Sequence, residues 1–175
     1  DRVDFGPGIE SRRRWLPGGR ILALENRLGR VAGSLSDAVS QGCLDLTFRV
    51  YPEGMDGGFQ RLAYRGDDTW YESTYWGGSE WTRVGRNWQH PGQDSPSVRC
   101  FKAPRDGRIH VSGKVFKLHR EGDGVRVSIL HGEQTVWTMD LAGNDGVGVD
   151  PDLDLDVVAD DAIRFVVHKL GQIYC

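Results

Sequence analysis

The chain has 175 residues, enough for one domain with a core of its own or one domain behind an N-terminal extension. Its 24 Gly and 6 Trp beside only 2 Met point to a turn-rich, all-β fold. A formal net charge of -3 gives no electrostatic pull toward nucleic acid or an anionic membrane, and three cysteines without a Cys-x-x-Cys spacing argue against a zinc site.

From the N-terminus, residues 1–20 are punctuated by the turn signals Gly6-Pro7-Gly8 and Pro17-Gly18-Gly19. The start at Asp1, without Met or a signal-like apolar run, is read as a mature or excised chain, and the end at Cys175 as a cut in a longer parent. No stretch is apolar enough to span a membrane as a helix. Residues 21–41 have Leu24, Leu28, Val31, Leu35 and Val39 at helical spacing, but Gly29 and Gly33 and the weak start favour two short strands. Residues 44–50 alternate cleanly and read as a strand. Residues 59–64 fit another. Residues 65–96 hold glycines and clustered aromatics, which predicts loops joined by short strands.

Beyond that point the pattern is regular. Strands are expected at 97–103, 108–118, 125–130, 135–141, 153–157 and 163–167, separated by turns such as Arg105-Asp106-Gly107 and Gly122-Asp123-Gly124. In the 125–130 segment Val125, Val127 and Ile129 share one face, and Arg126 and Ser128 the other. Asp152, Asp154 and Asp156 alternate with Leu153, Leu155 and Val157, so the acids are expected to point outward and protect an edge. Strands with one apolar and one polar face predict an antiparallel β-sandwich or jelly roll. There is no phosphate-cradling Gly motif and no βαβ rhythm.

The segments His90-Pro91-Gly92, Cys100-Phe101-Lys102-Ala103-Pro104, Gly122-Asp123-Gly124-Val125 and Asp161-Ala162-Ile163-Arg164-Phe165, in that order, carry a resemblance. The run over residues 51–175 resembles a non-catalytic, carbohydrate-binding-like β-sandwich module of bacterial polysaccharide-degrading enzymes. Cys100 stands where a larger residue is common, and Asp160 where the turn usually has glycine. The resemblance implies sugar binding or an accessory role. On it, residues 51–175 are the sandwich module, and residues 1–50 an extension whose strands can join it.

Trp70, Tyr71, Tyr75, Trp76, Trp81 and Trp88 form the aromatic cluster. The apolar face of a sugar stacks on an indole, while its hydroxyls seek carboxylate, amide, guanidine or imidazole groups. The expected ligand-binding set is Trp76 and Trp81 as platforms with Glu80, Arg83, Asn87 and His90 as hydrogen-bonding groups. Against this stands the reading that any one tryptophan fills the core. No cofactor is implied, except that the Asn144-Asp145-Gly146 loop is the candidate calcium position, with Asp145 as ligand. A polysaccharide lyase would draw its base from His90, His119, Tyr71 or Tyr75 and its neutralising cation from Arg83. A glycoside hydrolase would need two facing carboxylates that sequence does not place. No Gly-x-Ser-x-Gly nucleophile motif is present.

The expected function is therefore a carbohydrate-binding or accessory module of an extracellular or periplasmic polysaccharide-degrading system, with a polysaccharide or oligosaccharide as partner, possible contact with a neighbouring catalytic domain, and no nucleic acid or membrane partner. The alternatives are a small jelly-roll lyase or hydrolase, and a structural module packed on a catalytic neighbour. Pairing among Cys43, Cys100 and Cys175 stays open.

Overall fold

A computed structural model describes residues 58–173, together with the strand backbones at 3–4, 15–16, 19–20 and 44–49. Among the described residues, sixteen strands run in chain order: β1 (Val3–Asp4), β2 (Trp15–Leu16), β3 (Gly19–Arg20), β4 (Leu44–Arg49), β5 (Phe59–Arg61), β6 (Ala63–Trp70), β7 (Ser73–Gly77), β8 (Arg83–Gly85), β9 (Trp88–His90), β10 (Ser97–Lys102), β11 (Gly107–Ser112), β12 (Phe116–Lys117), β13 (Gly124–His131), β14 (Gln134–Ala142), β15 (Asp152–Val157) and β16 (Ala162–Lys169). The described residues contain no helix, so none is long and apolar enough to cross a membrane. The ladders are antiparallel, and the fold is an all-β sandwich.

One six-stranded sheet has the order β14-β13-β16-β10-β4-β5. A second has the order β12-β1-β9-β8-β7-β6, and β11-β15 form a two-stranded sheet. Alternation explains the first sheet. Val125, Val127, Ile129, Ile163 and Val167 are buried, each worth about 1.5–3 kcal/mol of burial. They pack with Val115 and Leu141 at one end and with Phe101, Ile109 and Val157 at the other. On the outer face, Arg126 faces Asp140 in register and donates to both its oxygens at 2.7 and 2.8 Å. The Ser128 and Thr138 hydroxyls, likewise opposite each other, lie 2.9 Å apart.

Asp152, Asp154 and Asp156 are exposed along β15, as the alternation predicts. His110 of β11 sits against two of them, at 3.4 Å from Asp152 and 3.0 Å from Asp154. The turn residue Asp160 has φ 69°, the left-handed conformation for which glycine is the easier residue.

Two expectations are corrected. The single strand expected over 108–118 is two, because the chain changes sheets at Gly113: β11 pairs with β15, whereas β12 pairs with β1. Between them Val115 bridges Val149. Residues 63–70, expected mostly as loop, form the eight-residue strand β6. Its residues are exposed up to Trp70, so no buried face imposes a hydrophobic alternation that sequence can display. The ladder to β7 holds it instead, with a register irregularity between Arg65 and Trp70. The helix-or-strand question over 21–41 lies outside the described residues.

Strands from the first fifty residues pair into the sheets: β1 with β9 and β12, and β4 with β10 and β5. Cys100 is buried in β10, whereas Cys43 and Cys175 lie outside the described residues.

Candidate functional site: an aromatic stack rising to an open cleft

The site is built on β6, β7 and β8. A two-residue turn, Tyr71-Glu72, joins β6 to β7 with φ 51° and 62°, so both central residues are left-handed as in a type I′ hairpin. The turn sets Trp70 opposite Ser73. Below it Trp88 of β9 is fully buried, and its indole N–H donates to the Ser73 hydroxyl at 3.0 Å. Gly85 is a necessity here: a Cβ at that position would stand 2.1 Å from the Trp88 ring. Trp70 meets Trp88 edge-on at 5.2 Å, and Tyr75 approaches the same ring at 6.1 Å.

Arg83 lies above this floor. Its guanidinium carbon is 4.4 Å from the Trp70 ring centre, 4.8 Å from Tyr75 and 4.5 Å from Trp81. Trp81 tops the stack and is 58% exposed. The order from core to solvent is thus Trp88, then Trp70 and Tyr75, then Arg83, then Trp81. Arg65, Asp67, Asp68, Tyr75, Gly77, Gly78, Trp81 and Arg83 line an open cleft of about 400 Å³. Its lining mixes one exposed indole with two guanidiniums and two carboxylates, a chemistry suited to a polyhydroxylated ligand with an apolar face.

The loop that presents Trp81 is tied down at several points. Gly78 N–H donates to the Thr82 carbonyl at 2.8 Å, and the Thr82 and Ser95 hydroxyls are 2.7 Å apart. Glu80 and Trp81 have φ 53° and 72°, so two consecutive side-chain-bearing residues are held left-handed at the cleft. The Glu80 carboxylate accepts from the Asp94 N–H at 3.1 Å, and its carbonyl accepts from Gln93 N–H at 3.2 Å. His90 is buried, with Nδ1 at 3.1 Å from the Trp81 carbonyl. A carbonyl only accepts, so Nδ1 carries the proton and donates. Burial pushes the His90 pKa down to about 3, which keeps the ring neutral at ordinary pH.

The structure brings together Trp81 and Arg83 of the expected set. Glu80 and His90 stand behind the cleft, fastening the loop. Trp76 points to the opposite face of the sheet from Tyr75, as neighbours in a strand must, and packs at 5.0 Å against the exposed Tyr64. Asn87 is half-buried in the β8–β9 turn and does not line the cleft. The lining residues not singled out in sequence are Arg65, Asp67 and Asp68. They sit in the polar strand β6, and only its pairing with Tyr75 and Gly77 would have drawn attention to them.

The Tyr75 hydroxyl donates to Asp68 at 2.5 Å. That bond, chiefly, raises its pKa above the usual phenol value, so the phenol is held as a donor. His119 lies beside Tyr71, ring centres 5.4 Å apart. At the candidate calcium loop, Asp145 Oδ1 accepts from Val147 N–H at 2.8 Å and Gly148 N–H at 2.9 Å, and these bonds lower its pKa. Among the described residues no three His, Cys, Asp or Glu side chains are grouped to hold a metal ion.

No family model, curated protein or solved structure matches the chain.

Proposed function

We propose that this chain is a carbohydrate-binding or accessory module of an extracellular polysaccharide-degrading system, and that the cleft on β6, β7 and β8 is its sugar site. The observation that carries the reading is Trp81: a large indole, 58% exposed, held at the mouth of a polar cleft by a loop tied to Ser95, Asp94 and His90. Two left-handed residues with side chains cost the backbone energy, and strain of that kind gathers at ligand sites, where a held indole serves as a stacking platform. Asp67, Asp68 and Arg65 supply acceptors and donors for hydroxyl groups around the stacked ring. Two of the four candidate bases are engaged otherwise: His90 is buried and neutral, and the Tyr75 hydroxyl donates a hydrogen bond to Asp68.

The test is binding of the purified chain to a panel of immobilised polysaccharides, with reducing-end and unsaturated-product assays on the same samples. Binding without product, abolished by Trp81→Ala, supports the module. Product release moves the function to an enzyme. Neither binding nor product across the panel moves it to a structural module.

A further inference from the structure

Arg83 is the unusual group in the cleft. Three aromatic rings close on its guanidinium at 4.4–4.8 Å, and it is half-buried. Among the described residues it makes those ring contacts and neither a hydrogen bond nor an ion pair. The N–H groups of a guanidinium form the planar fork that matches a carboxylate. The Arg83 nitrogens are not among the buried atoms without a partner, so they face the water of the open cleft, where a ligand can reach them. Such a fork, immobilised before the ligand arrives, loses little entropy on binding.

We infer that the ligand is an acidic sugar: a uronate residue lies in the cleft beside Trp81 and sets its carboxylate against the N–H groups of Arg83. This rests on the sugar-site reading above. The two other charges of opposite sign shape the specificity. Asp68 already accepts the Tyr75 proton, and Asp67 and Asp68 stand on the same lining as Arg65 and Arg83. Two guanidiniums against two carboxylates leave the cleft without net charge, so it has no general attraction for polyanions. Recognition is then by one oriented carboxylate, while Asp67 and Asp68 accept ring hydroxyls.

The test uses matched polymers. Polygalacturonate, polymannuronate, polyguluronate and polyglucuronate are each compared with the same polymer after reduction of its carboxyl groups, with cellulose and xylan as neutral polymers and dextran sulfate as a charge control. The expected result is that at least one polyuronate binds about tenfold or more tighter than its reduced form. Arg83→Lys, which keeps the charge and loses the fork, should erase that preference. The matched ligands keep the test decisive if Arg83 variants disturb the stack. Equal binding of reduced or neutral polymers, still lost in Trp81→Ala, overturns the acidic-sugar inference and leaves the sugar site standing. Dextran sulfate binding as tightly as the polyuronate also overturns it, because charge alone would then suffice. Binding to none of the polymers overturns both.

Discussion

The guanidinium of Arg83 packs against the exposed Trp81 ring, its central carbon 4.5 Å from the ring centre. A cation against an indole face stiffens a platform that would otherwise swing in solvent. Trp81→Ala should therefore lower affinity for the bound glycan about tenfold or more, roughly 1.4 kcal/mol. Because the ring is mostly exposed, the same change should leave the thermal midpoint nearly unmoved. Trp76→Ala, on the opposite face, should cost much less affinity. Isothermal titration and thermal melts on both variants check this, and equal losses would assign the platform to the wrong face.

The base of the stack is expected to behave in the opposite way. Gly85→Ala forces a Cβ into the buried Trp88 ring and should cost about 1–3 kcal/mol. Trp88→Ala should cost about 3–5 kcal/mol. Urea denaturation measures both. A neutral Gly85→Ala would mean that the ring is free to move aside.

The β6–β7 turn carries a removable strain. Glu72 has φ 62° and is exposed, and glycine is the residue that a type I′ turn prefers at that place. Glu72→Gly should stabilise the protein by about 1 kcal/mol, or about 2–4 °C in thermal midpoint. A fall in the midpoint would show that the Glu72 side chain contributes more than its backbone costs.

His90 gives the fold a defined acid sensitivity. Its folded pKa is about 3 against an ordinary 6.5, so the unfolded chain binds the proton and the folded chain does not. Stability is complete above pH 6.5 and falls as pH drops from there toward 3. The carboxylates held low, Asp140, Asp145 and Asp161, lose their contribution only below about their ordinary value of 3.8. Between pH 6.5 and 4.5 the His90 slope should thus stand apart, on the order of 1 kcal/mol per pH unit. Urea midpoints at pH 7, 6 and 5 should fall for the native chain, and the fall should be shallower for His90→Gln. Parallel slopes would place the proton uptake elsewhere.

Calcium should not raise the thermal midpoint, and chelation should not lower it. Asp145 already spends Oδ1 on two backbone N–H groups that close its own loop. Asp145→Ala should destabilise by about 1 kcal/mol through the loss of that closure. A midpoint that rises with added calcium, and does not do so in Asp145→Ala, would restore the loop as a metal position.

The strands over 124–131, 152–157 and 162–169 were legible because an apolar side chain every second residue is a local pattern, and burial on one face enforces it. The same logic failed for β6, whose exposed residues have no buried face to write such a pattern, and for 108–118, where the chain leaves one sheet for another at Gly113. In the candidate site, Trp81 and Arg83 were legible as an aromatic and a polar group of the same glycine-bearing segment, whereas Arg65, Asp67 and Asp68 reach the cleft only through the β6–β7 ladder.

By itself, then, the sequence determined that the fold is all-β, where its regular strands run, and that its aromatics cluster over residues 70–88. Only the tertiary structure decided which tryptophan is core and which stands exposed. Trp81 and Trp88 lie seven positions apart in similar polar surroundings. One is buried because Gly85 leaves room for its ring and Ser73 takes its N–H, and the other is exposed because a left-handed loop carries it past Arg83. Ser73 reaches Trp88 from another strand, 15 residues away in sequence, and a pairing of that kind leaves no periodic trace in the residues it joins.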